Sequence, residues 1–264
     1  MNFKQIFAIA EKELKLSLRF KYGYILKELI NPLKFLIFFG LLYSSFFTIG
    51  AKNLGGVTKE NFISFLLIGA LIYGFFSSAF NTVSYRFTLE KFWQTIQALL
   101  IAPLNMLRVL IGITISEMVR VSVVFLIFLL IINLLSPIKI LYLLIGIVII
   151  FLILIGTLGV AFIGGAFALS NENFIPLFTY FIWGWTFFSC FYYPITVIPS
   201  MIRPLAYINP VYHGVTLIRE LWVSGSSDFF VLRFSFVLLF AVITPLIGVL
   251  IFNKIIKKVG ITGY

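Results

Sequence analysis

ILYLLIGIVIIFLILIGTLGVAFIGGAFALSN, residues 140–171, carries no charged side chain along its whole length. Its apolar residues do not alternate with polar ones, as membrane-barrel strands must over about ten residues. A backbone in lipid has to satisfy its own hydrogen bonds, so a segment like this is a helix. About 20 apolar residues cross some 30 Å of hydrocarbon, and this stretch exceeds that. Outward from it lie five more uncharged stretches, at 35–51, 61–85, 121–138, 173–202 and 234–253. Val123–Ile132, inside one of them, again shows no alternation.

Composition agrees. Apolar residues make up 61% of the 264, charged residues 11%, and there are 32 Phe. A soluble domain carries roughly 25% charge. The chain reads as one all-α integral membrane domain, 1–264, with six transmembrane helices at about 31–50, 62–84, 110–134, 139–168, 174–192 and 230–252. Glu11, Lys12, Glu13, Lys15 and Arg19 occupy the place where a cleaved signal peptide would need its apolar core.

An even number of spans puts both termini on one side, and basic residues choose that side. Lys4, Lys12, Lys15, Arg19, Lys21, Lys27 and Lys34 precede the first span. Arg86, Lys91 and Arg108 follow the second, and Lys254, Lys257 and Lys258 follow the last. The opposite loops hold fewer. Both termini and the 85–108 loop are therefore expected in the cytoplasm, in a cytoplasmic membrane of prokaryotic type. The net charge of +11 is explained by anionic membrane lipid, with no call for nucleic acid.

Between the spans, residues 1–30 read as an amphipathic interfacial helix. Phe3, Phe7, Ala10, Leu14 and Leu18 form its apolar stripe, and Asn31–Pro32 marks entry to the membrane. Residues 85–103 form a second amphipathic helix. Leu89, Trp93, Ile96 and Leu100 lie on one stripe, with Arg86, Glu90, Gln94 and Gln97 beside them, until Ala102–Pro103 ends the pattern. Such a helix either docks on a cytoplasmic partner or floats at the interface. Glu117 and Arg120 share a face of the third span and suit an intramembrane ion pair or snorkelling. Gly156, Gly159, Gly164 and Gly165, with Ala161 and Ala168 four residues from two of them, suit close helix packing.

The segment FYYPITVIPSMIRPLAYINPVYHGVTLIRELWVSGSSD, residues 191–228, is too apolar for a free loop and too broken to cross. Pro194, Pro199, Pro204 and Pro210 interrupt any helix. Asn209–Pro210 is a helix start, Asn as cap and Pro at the first position, with the helix running to about Val223. A re-entrant helical pair over 194–228 is the expected solution.

These features in order resemble the membrane subunit of type-2 ATP-binding cassette (ABC) exporters, the drug, lipo-oligosaccharide and O-antigen export permeases. The carriers of the likeness are the N-terminal amphipathic helix, LEKFWQTIQALLIAP at 89–103, and the spacing of Pro194, Pro199, Asn209, Pro210, His213 and Arg219. It covers essentially the whole chain. The resemblance implies that the 85–103 helix couples to an ATPase subunit through Glu90, Phe92, Trp93, Gln94 and Gln97. It makes Pro194, Pro199, Asn209, Pro210, His213 and Arg219 a re-entrant gate. It further implies ATP and Mg held by that partner, a homodimer or heterodimer of permease chains, and an amphipathic cargo: a lipid-linked oligosaccharide, a glycolipid or a drug.

The chain has no G-x4-G-K-[ST] phosphate loop, so it is expected to bind no nucleotide and no other cofactor itself. Two other classes compete. An integral membrane transferase usually clusters carboxylates or His and Cys around a metal, whereas Asp228, His213 and Cys190 are each the sole residue of their type. A Ser–His–acid set would have to use His213 with Glu220. A proton-coupled secondary transporter would use Glu117, but no internal repeat accompanies it.

Overall fold

The structure, a computed structural model, describes residues 3–19, 21–50, 53–92, 106–170 and 174–262. Within these, residues 3, 21, 23–29, 31, 32, 81–92, 106, 107, 169, 170, 256 and 258–262 are described in their backbone alone. The described residues fold into helices α1 (Phe3–Arg19), α2 (Lys21–Thr48), α3 (Phe62–Phe92), α4 (Met106–Leu135), α5 (Ile140–Ser170), α6 (Phe174–Phe188), α7 (Pro204–Ile208), α8 (Pro210–Arg219) and α9 (Phe230–Thr262). Extended pairing among them is confined to an isolated bridge between Leu54 and Val57.

Four of these helices are long and apolar enough to cross a membrane: Phe62–Phe80, Arg108–Leu135, Ile140–Ala168 and Phe230–Ile255. The apolar parts of α2 and α6, Leu33–Thr48 and Phe174–Phe188, are shorter than a full crossing. Several boundaries differ from the sequence reading. Asn31–Pro32 is not a helix start, because α2 runs through it from Lys21. A proline forfeits one helical hydrogen bond, and neighbouring groups in a helical bundle can make up for it. Helix α3 does not stop at 84 but continues unbroken to Phe92. Helix α6 ends at Phe188, since Ser189–Cys190 form a turn in which Cys190 takes a left-handed backbone, φ +55°.

The buried face of α1 also differs from expectation. Ile6, Ala10 and Glu13 are buried, while Phe7 and Leu18 stand 63% and 64% exposed. Gly112 of α4 explains the choice: a Cβ there would strike Ile9 and the Ile6 carbonyl. Two apolar stripes compete on α1, and the one that can come close to a glycine wins. Arg108 Nη1 fastens the pair by donating to Gln5 Oε1 at 2.7 Å.

Helix α5 lies at the centre, packed on α9 and α3. Its glycines let the backbones approach. Gly156 lies under the Phe240 ring, and Gly159 touches the backbone of Thr244–Pro245. Gly248 in turn rests on the Gly159 carbonyl. The Thr244 hydroxyl donates across the pair to the Gly156 carbonyl, 2.7 Å. Gly164 receives the Phe178 ring of α6. Close packing of this sort replaces the hydrophobic drive that is missing between helices in lipid. The turn from α4 to α5 is held by Asn133 Oδ1, which accepts from the Ile138 amide at 3.0 Å, and by a Ser64–Ser136 hydroxyl pair at 3.0 Å.

Candidate functional site

The chain between α6 and α9 builds an elbow. From Pro194 it makes one short 3₁₀ turn (Ile195–Val197), then α7, then α8, then a π-helical turn over Glu220–Ser224. Gly225 closes it in the left-handed region, φ +69°. π turns of this kind recur at functional sites.

Asn209 starts α8 as a cap, its Oδ1 accepting from the Val211 amide at 3.0 Å, with Pro210 at the first helical position. The same side chain does more. Oδ1 also accepts from Trp185 Nε1 at 2.9 Å, and Nδ2 donates to the Trp185 carbonyl at 3.2 Å and to Ser189 Oγ at 2.9 Å. Four bonds exhaust what an amide side chain offers. Asn209 therefore fixes the start of α8 to the end of α6.

Arg219, at the other end of α8, is buried at 8% exposure. Its Nη1 donates to the Cys190 carbonyl at 2.8 Å, and its Nη2 to the carbonyls of Phe191 and, at 3.3 Å, Phe65. The guanidinium lies 3.5 Å over the centre of the Phe65 ring, a cation–π contact. Gly69 makes the approach possible, because a Cβ there would collide with the Phe191 carbonyl. One side chain thus binds α8, the turn after α6 and helix α3 together. Burying a cation against carbonyl dipoles is costly without good geometry, and here three carbonyls supply it.

His213 Nε2 faces the Tyr207 carbonyl at 2.7 Å, and the ring stacks on Phe236 at 4.4 Å, so it fastens α7 and α9 to α8. Because a carbonyl only accepts, Nε2 carries the proton and Nδ1, buried without a partner, is the bare nitrogen. Burial holds the imidazole below its ordinary value; nearby Arg233 adds to this and the Tyr207 bond opposes it. Glu220 does not meet His213. It pairs with Arg233 of α9 and accepts from Ser227 Oγ at 2.6 Å. Trp222 Nε1 donates to the Tyr142 carbonyl at 2.9 Å and packs on Gly146. Pro194 is buried and caps the 3₁₀ turn, whereas Pro199 is exposed and its carbonyl opens the turn into α7.

Beneath the elbow, α2, α3 and α6 enclose a cleft of about 550 Å³ lined almost wholly by aromatic rings. Tyr192 stacks between Phe35 and Phe39 at 5.3 and 5.2 Å. Tyr43 Oη donates to the Tyr192 carbonyl at 3.3 Å. Ser77 and Thr186, with Tyr73, Tyr192 and Tyr193, give the wall its hydroxyls. Sequence reading missed this cleft, along with the parts played by Trp185, Ser189, Gly69, Arg233 and Trp222. A run of aromatics signals lipid contact and lining equally.

Glu117 and Arg120 of α4 form an ion pair one helical turn apart. Among the described residues no three His, Cys, Asp or Glu could hold a metal. Of the 85–103 segment, Glu90 and Phe92 are described in backbone only, as the last turn of α3. Trp93, Gln94 and Gln97 lie outside the described residues.

A family model described as ABC-2 type transporter matches residues 4–222. That match runs from Lys4 in α1 to Trp222 within the π turn, and includes Asn209, His213, Arg219 and the aromatic cleft. Comparison with curated proteins yields no match.

Proposed function

The chain belongs to the ABC-2 type transporter family, and from that premise we propose that it is the membrane half of an ATP-driven exporter, moving an amphipathic cargo outward. As a member it is a multi-pass permease component, and permeases of this family normally pair with an ATPase subunit. The cargo class, a lipid-linked oligosaccharide, a glycolipid or a drug, is part of the proposal. The aromatic cleft between α2, α3 and α6 is the observation that carries it. Rings offer stacking and apolar contact to a partly apolar cargo, with Ser77 and Thr186 for its polar groups.

In this reading α2 and α6 complete six spans despite their length, both termini and the 85–103 segment face the cytoplasm, and the elbow is the re-entrant gate on the far side. ATP and Mg are bound by the partner. Two permease chains, identical or paralogous, enclose the path, because one copy leaves the aromatic wall open on the α6 side, where Tyr180, Trp183 and Phe187 are exposed. The rival use of Glu117 as a proton carrier has to break its pair with Arg120.

The coupling assignment is tested by Glu90→Arg combined with Phe92→Ala. Loss of an interface anchor costs about 2 kcal/mol or more, roughly thirtyfold in affinity. The double variant is expected to insert and fold but to weaken ATPase binding or the ATPase response to substrate, while Glu11→Arg, on the exposed side of α1, is expected to have a smaller effect. Unaltered assembly and transport in the double variant would place the energy input elsewhere.

A further inference from the structure

A second cavity, about 270 Å³, lies above Arg219 between the 55–61 turn, residues 190–195 and one face of α8. We propose that it binds an oxyanion, the phosphate group of a lipid headgroup of net negative charge or phosphate free in solution. Charge is the first reason. Arg219 forms part of the wall, and among the described residues no carboxylate neutralises it: its partners are the carbonyls of Cys190, Phe191 and Phe65. Glu220, the acid in the same wall, is committed to Arg233 and Ser227. The local balance is therefore one uncompensated positive charge.

The second reason is an unsatisfied donor. Arg219 Nε is buried and makes no hydrogen bond, whereas buried donors are ordinarily paired. A guanidinium with a spare N–H and no acid can add a charge-assisted bond to one phosphate oxygen. Space is the third. Liquid water takes about 30 Å³ per molecule, so the cavity has room for a tetrahedral anion and its first waters. The hydroxyls of Thr216 and Ser224 sit in the same wall. This inference stands on the cavity and its charge and is independent of the transport reading; its test reads binding, not transport.

The experiment uses the full chain in nanodiscs. Cys190 is the single thiol and is 1% exposed, so a thiol-reactive fluorophore reports unfolding. Three preparations are compared: phosphatidylcholine alone, phosphatidylcholine with phosphatidylglycerol, and phosphatidylcholine with inorganic phosphate at constant ionic strength. A ligand of the folded state raises the unfolding midpoint with its concentration. The midpoint rises by several degrees with one or both anions. A rise with phosphatidylglycerol alone identifies a headgroup, and a rise with phosphate as well identifies the free oxyanion. Arg219→Gln abolishes the rise. Ser224→Leu, which fills the cavity from its wall and touches no bond of Arg219, abolishes it too while unfolding normally in phosphatidylcholine. No rise with either anion, or a rise that survives in Ser224→Leu, overturns the proposal.

Discussion

Asn209 and Trp185 exchange two hydrogen bonds: the indole Nε1 donates to the amide oxygen at 2.9 Å, and the amide nitrogen returns one to the Trp185 carbonyl at 3.2 Å. The exchange locks the end of α6 to the start of α8. It makes the elbow and the aromatic cleft one mechanical unit, since Trp185 stands one residue from Thr186 of the cleft wall.

Asn209→Ala removes the cap and leaves the half-buried Trp185 N–H without its acceptor. A lost cap costs about 1 kcal/mol and an orphaned buried donor about 1–3 kcal/mol. The variant is expected to unfold about 2–4 kcal/mol more easily, as followed by Cys190 alkylation. Asn209→Asp keeps the cap and the indole bond but loses both amide donors, and falls between. Equal stability of all three proteins would show that the elbow is held by other contacts.

A helix-packing prediction contrasts two glycines. A Cβ on Gly159 meets the backbone of Thr244–Pro245, which cannot swing away, whereas Gly184 faces open space. Gly159→Val is expected to destabilise by about 1–3 kcal/mol, the usual penalty of overpacking. Gly184→Ala should leave the unfolding midpoint unchanged. The comparison in detergent also fixes whether α5 and α9 separate before global unfolding.

Part of this architecture was legible in the residues. Asn209–Pro210 announces the start of α8 because capping is local chemistry. The glycine spacing of α5 announces close packing, though not that Phe240, Pro245 and Phe178 are what it packs on. The rest depends on distant partners. Nothing near Arg219 in sequence points to the carbonyls of Phe65, Cys190 and Phe191. The Glu220–Arg233 pair spans the Gly225 turn and was hidden by the nearer His213. On α1, apolar residues form two stripes, and only the position of Gly112 on another helix selects between them. Through Pro32 the local rule says stop, while the helix continues on both sides.

Acid should loosen the elbow through His213. Its folded value lies below the ordinary one of about 6.5, so the native state favours the neutral ring. Stability from this group is therefore full above about pH 6.5 and is lost as pH falls below it. Protonation would place a second cation near Arg233 and a proton on Nδ1, which has no acceptor. The unfolding midpoint of the wild type should drop between about pH 7.5 and 5.5, and the drop should shrink in His213→Gln, which keeps a donor for the Tyr207 carbonyl. An identical drop in both would assign the acid response to the carboxylates.

Topology is tested in a Cys190→Ala background. Thiols placed at Lys59 and Ser226, both exposed, are expected to react with an impermeant reagent from outside sealed cells. Thiols at Lys4, Gln94 and Lys257 are expected to stay unlabelled until the membrane is opened. Labelling of any of these three in sealed cells would overturn the six-span arrangement.

The central claim is that this chain forms the path and a separate subunit supplies the energy. The most direct measurement is ATP hydrolysis by the chain in liposomes, first purified alone and then with the ATPase that copurifies from its native membrane. Alone, it should show none, because no phosphate loop is present in its sequence. With the ATPase, hydrolysis should appear and should depend on the 85–103 segment, falling in Glu90→Arg with Phe92→Ala. Hydrolysis by the rigorously purified single chain, or transport that proceeds without ATP under a proton gradient, would contradict the account.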